Sequence, residues 1–215
     1  MPEASKLSGV RSQRIRRWLS GYEYSHGEKR LESKPVWTGQ IEPLEARMAL
    51  GFLDLMEIRF VSAFIEQGVS LQAIRKAAQR ARQAFDVDHP FCAGKFLTDG
   101  RTVFIEVGEE LQERELLDLV KNQFAFKKVL KPYLIGLDYE DDVLARWWPL
   151  GKNRRVVIDP ERSFGTPIVS KRGIPTDILH TALLREGSVS EVMKWFDVSR
   201  QEVLDAKRFE ERVPA

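Results

Sequence analysis

The sequence predicts a mainly α-helical protein with small β-hairpins. A winged helix-turn-helix module is expected near its N-terminus and a trihelical helix-turn-helix module near its C-terminus. Apolar residues recur at helical spacing over most of the 215 residues. Short glycine-containing turns separate the helical segments at both ends of the chain. Apolar residues make up 43% of the chain and charged residues 31%, which is the composition of a globular protein.

The composition argues against several classes of protein. The single cysteine, Cys92, cannot form an internal disulfide framework, and the chain has only three histidines with which to build a Cys-rich zinc site. No apolar run approaches the ~20 residues of a membrane helix, and the N-terminus lacks the apolar core of a secretory signal. We therefore expect a cytoplasmic protein that binds no membrane, metal or cofactor.

The net charge of +2 hides an uneven distribution. Residues 1–40 hold eight Lys or Arg against four Asp or Glu, and residues 151–174 hold six against two. A polyanion such as DNA responds to local positive patches, whatever the total charge. Ordinary scatter of surface charge is the alternative explanation for these two basic segments.

The first forty residues predict two short helices followed by a hairpin. The helices are expected over Glu3–Leu7 and Ser12–Leu19, with Ser8–Val10 as the turn and Ser12 as the N-cap of the second helix. Tyr22–Trp37 has aromatic ends and a polar middle, which is typical of a hairpin whose tip lies near residues 26–30. A helix-turn-helix with a wing is one of the ways in which proteins reach duplex DNA.

The second helix has an apolar face and a basic face. Ile15, Trp18 and Leu19 share the apolar face at spacing i, i+3, i+4. Arg pairs bidentately with guanine and Gln with adenine, and basic side chains at a wing tip bind phosphate. A solvated helix face and an ordinary surface loop are the alternatives. The candidate DNA contacts of this module are Gln13, Arg14, Arg16, Arg17, Lys29 and Arg30.

Two longer helices are predicted over Leu50–Phe85. Gly68 and Val69 join them, and Ser70 is the expected N-cap of the second. Their apolar residues are expected to form core. The solvated face of the second helix is expected to carry Arg75, Arg80 and Arg82.

The middle of the chain predicts a second hairpin and a partly helical segment. Phe91–Val107 is assigned to the hairpin because Asp99-Gly100 is a typical two-residue turn and β-rich residues follow it. Leu116–Leu134 is partly helical in pattern, with Phe124 and Phe126 near its middle. The expected domains are the winged module at 1–88, the hairpin with connecting helices at 89–150, and the trihelical domain at 151–215.

No motif in the chain points to catalysis, and we expect no enzyme. His89 and Cys92 have the spacing of half a zinc site but lack a second pair, so we expect a loop histidine beside a buried cysteine. The chain has neither a P-loop nor a dinucleotide fingerprint. One local group of carboxylates has the chemistry to hold Mg²⁺, although an acidic helix start is the simpler interpretation. Its members are Asp138, Glu140, Asp141 and Asp142.

The last sixty residues predict two short strands and then three helices. The strands lie at 156–158 and 168–169, and the first helix covers Thr176–Arg185 with Thr176 as its cap. The second helix begins after Ser188 or Ser190. Ser199 caps the third helix, where Glu202 completes a capping box.

The third helix presents another set of candidate DNA contacts. Val203, Ala206 and Phe209 are expected to face the core. The surrounding segment is net negative, so packing or dimerisation is an alternative role for this helix. The candidate contacts that point away from the core are Arg200, Gln201 and Arg208.

The first 85 residues resemble the MerR-type winged-helix family. The matching strings are Leu7-Ser8-Gly9-Val10, Ile15-Arg16-Arg17-Trp18, Phe52-Leu53-Asp54-Leu55 and Gly68 to Arg75. The hairpin expected at Phe91–Val107 departs from that family, which has a long dimerisation helix there. The resemblance implies a DNA-binding winged helix-turn-helix.

Residues 154–210 resemble a small uncharacterised-domain family of bacterial and archaeal antitoxins. Members are commonly partners of PIN-like ribonucleases, so the whole chain looks like a longer VapB-type antitoxin. The resemblance implies a protein that binds DNA, regulates its own promoter and silences a toxin. The strings that carry it are Ile158-Asp159-Pro160, Gly165 to Val169, Gly173 to Thr176, and Glu186-Gly187-Ser188, with the spacing through Trp195-Phe196 to Val203 and Ala206.

The hypothesis from sequence is therefore a homodimer that binds double-stranded operator DNA and neutralises a PIN-like ribonuclease toxin. Exposed groups near Trp147, Trp148 or the C-terminal tail are candidate toxin contacts, with core packing as the alternative for each Trp. A MerR-like transcriptional regulator with a small-molecule effector and no toxin partner is the second hypothesis. A metal-dependent nuclease that uses the carboxylates near Asp141 ranks last.

Overall fold

The structure is a computed structural model that describes residues 1–27, 29–42, 48–121 and 130–212. The chain forms two compact units, Met1–Tyr133 and Leu134–Ala215. This division falls earlier in the chain than the boundary expected at residues 150 and 151. Within the described residues, no helix is long and apolar enough to cross a membrane.

The first unit begins with helices α1 (Pro2–Ser8) and α2 (Ser12–Ser20). Gly9 lies between them in the left-handed region, with φ 72° and ψ 5°, which allows the sharp turn. The expected N-cap of α2 is wrong by one residue. Arg11 occupies the cap position with an extended ψ of 134° and makes no side-chain capping bond, and Ser12 is already helical.

The hairpin predicted after α2 is confirmed. Strand β1 (Tyr22–His26) pairs antiparallel with β2 (Lys29–Ser33), and the register runs from Tyr22 opposite Ser33 to His26 opposite Lys29. Because side chains alternate along a strand, this register places Lys29 and Arg30 on opposite faces of the hairpin.

Helices α3 (Phe52–Glu66) and α4 (Leu71–Phe85) are also confirmed. Gly68, with φ 83°, lies in the turn between them. The side chain of Ser70 accepts a hydrogen bond from the backbone N–H of Ala73, as expected of an N-cap.

The hairpin predicted over Phe91–Val107 is wrong, since the structure places helix α5 at Phe96–Leu111. Asp99 and Gly100 lie in its first turns rather than in a β-turn. A Cβ atom on Gly100 would lie 2.3 Å from the ring of Phe96, so the glycine serves close packing within the helix. Phe96 belongs to an aromatic cluster in which tertiary packing outweighs local β-propensity. The other rings of this cluster are Phe60, Phe64, Phe91 and Phe104.

Helix α6 (Arg114–Lys121) follows α5 and packs against it. The predicted helical stretch Leu116–Leu134 is thus confirmed for its first residues. Phe124 and Phe126, which the sequence places at its middle, lie outside the described residues.

The second unit opens with a hairpin of β3 (Leu137–Glu140) and β4 (Val143–Trp147). The acidic helix start expected here is wrong. Asp141 and Asp142 form the turn with φ values of 49° and 62°. Asp tolerates this left-handed conformation better than most residues, and two consecutive positive φ values suit a tight hairpin turn.

Three short antiparallel strands and three helices complete this unit. The strands are β5 (Val156–Val157), β6 (Ile168–Val169) and β7 (Ile174–Pro175), in spatial order β5-β6-β7. The helices are α7 (Thr176–Glu186), α8 (Val189–Phe196) and α9 (Arg200–Arg212). Their shared buried core consists of Val169, Leu179, Val192, Val198, Val203 and Ala206.

Two of the three N-caps predicted for these helices are confirmed and one is wrong. Ser188 accepts from the N–H of Glu191, and Ser199 shares the expected capping box with Glu202. Thr176 is not the cap of α7, because Pro175 holds that position and the Thr176 hydroxyl donates to Glu210 instead.

Candidate nucleic-acid interface

Helix α2 is divided between a buried face and an exposed face. Ile15 and Trp18 are 0% and 2% exposed, so they fix the rotation of the helix against the first unit. Because those two side chains face inward, the polar residues between them face outward. The exposed side chains include all four that the sequence singles out, Gln13, Arg14, Arg16 and Arg17.

The hairpin is joined tightly to the end of α2. Gly21 has φ 70° and ψ −173°, a conformation open essentially to glycine alone. A Cβ atom at this position would lie 2.4 Å from the carbonyl oxygen of Ser33. The N–H of Val36 also donates to the carbonyl of Trp18 at 2.8 Å. The hairpin therefore leaves the helix at one fixed angle.

Arg17 connects the helix to the hairpin through a ring contact. Its guanidinium lies 5.1 Å from the centre of the Tyr22 ring, and Tyr22 in turn packs against Tyr24 with 5.9 Å between ring centres. A cation over an aromatic face is attracted by the ring quadrupole. Arg17 thus combines an exposed position with a fixed orientation, whereas sequence alone assigned it only to the helix surface.

One face of the hairpin is supported by a residue that the sequence assigned to solvent. The Nη2 of Arg75 on α4 donates to the Ser33 hydroxyl at 2.8 Å. Burial lowers the pKa of Arg75 even though the nearby tyrosines Tyr22 and Tyr24 oppose that shift. Ser33 and Arg75 are far apart in the chain, so the sequence alone does not indicate that Arg75 contacts the hairpin.

The other two arginines of the expected solvated face of α4 are partly exposed but engaged in ion pairs. Arg80 forms ion pairs with Glu106 and Glu110 of α5. Arg82 contacts Asp88 and the hydroxyl of Thr38. These cations stabilise the first unit rather than remaining free for a ligand.

The outer face of the hairpin carries charges of both signs. Glu23 lies directly opposite Glu32, and Arg30 lies opposite Ser25 on the same face. Lys29 and Arg30 are both exposed, as a phosphate contact requires. The two carboxylates limit the positive potential to the tip of the hairpin.

A buried carboxylate holds the segment that follows the hairpin. Asp54 of α3 is 0% exposed and accepts hydrogen bonds from Trp37 Nε1 at 2.9 Å, Gln40 N at 3.1 Å, Gly51 N at 2.9 Å and His89 Nε2 at 3.0 Å. Burial alone would raise the pKa of Asp54, but these donors outweigh it and hold the pKa below its usual value. His89 is therefore structural, and the expected loop histidine near a buried Cys92 is confirmed.

A second carboxyl group on the same helix has its pKa shifted in the opposite direction. Glu57 is 0% exposed; its Oε1 accepts from the N–H groups of Phe91 and Cys92 at 2.9 and 3.3 Å, while Oε2 has no partner. Burial raises the pKa of Glu57 to about 8. The sequence analysis singled out neither residue as a buried carboxylate, although their position inside the apolar run Leu53 to Ile58 is a signal that could have done so.

In the second unit, helix α9 exposes the remaining candidates, Arg200, Gln201 and Arg208. The amide of Gln201 donates to the buried Asp205 at 2.8 Å, and Asp205 also accepts from the N–H of Arg155 at 3.0 Å. Gln201 is thus already engaged within the unit. Arg200 and Arg208 are better placed to meet a ligand.

Two of the four candidate carboxylates of the β3–β4 hairpin, Asp138 and Glu140, are engaged by cations. Asp138 accepts from Trp148 Nε1 at 2.6 Å and pairs with Lys152, and Glu140 pairs with Arg146. Burial would raise the pKa of Asp138, but Lys152 and Trp148 lower it overall. Across the ranges that the structure describes, no three His, Cys, Asp or Glu side chains are arranged to hold a metal ion.

Comparisons with known proteins bear on both units. A family model described as "Putative DNA-binding HTH domain" matches residues 1–78. The "Putative antitoxin VapB45" of Mycobacterium tuberculosis (strain ATCC 25618 / H37Rv) is 26% identical to this chain over 185 residues, which cover 81% of this chain and 77% of that protein. The crystal structure of Rv2018 from Mycobacterium tuberculosis superposes with a TM-score of 0.72 at 21% identity, covering 95% of this chain and 94% of the other. The chain therefore shares its fold with a solved protein, and its first 78 residues are similar to a family of putative DNA-binding helix-turn-helix domains.

Proposed function

We propose that this protein is the antitoxin of a type II toxin–antitoxin system. It binds operator DNA through its N-terminal unit, represses its own promoter, and neutralises a PIN-like ribonuclease toxin by direct contact. The similarity of residues 1–78 to a DNA-binding domain family and the antitoxin relative support this function. A homodimer fits the proposal, because two-fold operators are bound by two-fold symmetric proteins.

One observation carries the DNA-binding half of the proposal. The exposed face of α2 presents Gln13 and three arginines, while the opposite face is fixed by the buried Ile15 and Trp18. An inserted helix of this kind reads base edges in the major groove through Arg and Gln. Lys29 and Arg30 at the hairpin tip are basic side chains that contact the phosphates in this proposal.

The toxin-binding half is assigned to the second unit. The antitoxin relative aligns with 81% of this chain, which supports a role for both units. Its helix α9 also carries Arg200, Gln201 and Arg208, which we propose as secondary DNA contacts.

The DNA-binding surface is tested with the double change Arg14→Ala and Arg16→Ala. Fluorescence anisotropy on the duplex upstream of the gene should show a loss of affinity of about tenfold or more, since each base contact by Arg contributes about 1–3 kcal/mol. The dependence of log affinity on log salt should also become shallower, because fewer counterions are released.

The matched control removes two charges elsewhere, through Arg185→Gln on α7 and Lys194→Gln on α8. Both residues are exposed and lie outside the proposed DNA contacts. If both double variants bind the duplex equally, α2 is not the recognition helix.

A regulator that binds DNA tightly but never binds a PIN-like ribonuclease would instead be a transcription factor without a toxin partner.

A further inference from the structure

The second unit holds one aromatic side chain entirely in solvent. Phe164 is 104% exposed, the highest value among the large apolar residues that the structure describes. It lies in the turn Ser163–Gly165, where Ser163 and Phe164 have φ values of 49° and 54°. A non-glycine residue in the left-handed region costs free energy, and here two follow one another. Neither cost is offset by burial of the ring.

The turn that carries Phe164 is nevertheless well anchored. Gly165 N donates to the carbonyl of Arg162 and Thr166 N to that of Ser163, both at 3.0 Å. The guanidinium of Arg162 donates to the carbonyl of Ser170 at 2.7 Å, which ties the turn to the end of β6. The backbone at Phe164 is thus held in place, so that binding would order the side chain but not the turn.

The charges around this turn argue against nucleic acid as its ligand. Residues 151–174 are basic by composition, but the structure pairs Lys152 with Asp138, Arg154 with Asp205 and Arg172 with Asp197. These pairs compensate much of the positive field that a polyanion would need. An exposed aromatic ring, on a surface where many of the charges are paired, is suited to an apolar pocket on a protein.

We propose that Phe164 is the anchor by which this protein docks into an apolar pocket of its toxin. This inference rests on the proposed antitoxin function. Aromatic side chains that enter a desolvated pocket commonly dominate the energy of an interface. Trp147, which the sequence offered for this role, is only 6% exposed and cannot serve it.

The test uses the full chain and the PIN-like ribonuclease encoded beside its gene. Phe164→Gly removes the ring and relieves the left-handed strain, and Phe164→Asn removes the ring while keeping a side chain that tolerates this conformation. We expect both variants to lose affinity for the ribonuclease by about thirtyfold or more in calorimetric titrations. Their melting temperatures should equal or exceed that of the wild type. Val143→Thr, at an apolar residue of the same unit that is 58% exposed, is the matched control and should change neither quantity.

The outcomes separate this inference from the function on which it rests. If the wild type does not bind the ribonuclease, or no such neighbour is encoded, the antitoxin function fails and the anchor fails with it. If the wild type binds and the Phe164 variants bind as tightly, only the anchor is overturned. Variants that melt lower than the wild type would show that the ring stabilises the protein itself. Variants that lose operator affinity and keep the ribonuclease would assign the ring to DNA, and either result overturns the proposal.

Discussion

Two carboxylates one turn apart on α3 illustrate how neighbouring groups set protonation at the residue scale. Asp54 receives hydrogen bonds from a tryptophan, a histidine and two backbone N–H groups, and its pKa stays below the usual value despite burial. Glu57 accepts from the backbone N–H groups of Phe91 and Cys92 and interacts with the Cys92 side chain, but burial dominates and its pKa rises to about 8. The donors around Asp54 outweigh its burial, whereas the burial of Glu57 outweighs its donors.

The raised pKa of Glu57 predicts that the free energy of unfolding of the wild type depends on pH. Because the folded pKa of Glu57 is raised above its ordinary value of 4.5, its contribution to the free energy of unfolding is fully present below pH 4.5. That contribution is lost as the pH rises to about 8. Glu57→Gln keeps an oxygen for the donors of Phe91 and Cys92 and has no charge to bury.

We therefore expect the melting temperature of Glu57→Gln, relative to the wild type, to increase from pH 5 to pH 8. This difference in melting temperature is measured by thermal unfolding, monitored by circular dichroism, at several pH values. Glu109→Gln, at an exposed carboxylate of α5, is the control and should run parallel to the wild type. A constant difference between Glu57→Gln and the wild type across this range would show that Glu57 is ionised in the folded protein.

At the scale of elements, the joint between α2 and the hairpin matters most for the proposed function. Gly21 has a conformation that other residues avoid, and any Cβ there would collide with the Ser33 carbonyl. The contacts of Arg17 with Tyr22 and of Arg75 with Ser33 hold the two elements from either side. The spacing between the α2 surface and the hairpin tip is thus set by the fold before DNA arrives.

Gly21→Ala should therefore disturb both stability and DNA binding. We expect a loss of stability of about 1–3 kcal/mol from the backbone conformation, with the steric collision in addition. Operator affinity should fall because Lys29 and Arg30 move relative to α2. Gly27→Ala, at the hairpin tip, is the control: its φ of 63° is also positive, but a Cβ there meets no atom within 4 Å. Equal effects of the two changes would mean that the joint has no special role.

The elements differ in how far the sequence predicts them. Helices α2, α3, α4 and the capping box at Ser199 follow from periodicity and local hydrogen bonding, which act over a few residues. Helix α5 was not predicted from the sequence, because Asp99-Gly100 is typical of a two-residue β-turn. Its helical state depends on the packing of the Phe96 ring over Gly100 and on distant phenylalanines. Long-range packing of this kind leaves no periodic signal in one sequence.

At the scale of the whole molecule, two units divide the candidate functions. The N-terminal unit presents the exposed polar face of α2 and the hairpin tip, and the C-terminal unit presents α9 and the ring of Phe164. The exposure of the candidate side chains on α2 was predictable, since Arg opposite an apolar face is a local pattern. Phe164 was not, because a lone phenylalanine in sequence is normally assigned to the core and its exposure depends on the left-handed turn. The charge of the basic segment 151–174 was misleading for a related reason, since three of its six cations pair with carboxylates elsewhere in the unit.

The most direct test of the central claim is the binding of the wild-type protein to the DNA upstream of its own gene. Fluorescence anisotropy would compare that duplex with a scrambled one of equal length and composition over a series of salt concentrations. We expect tight binding that favours the upstream duplex and weakens with salt, because bases and phosphates are contacted together. Equally weak binding to both duplexes would contradict the account of this protein as an operator-binding antitoxin.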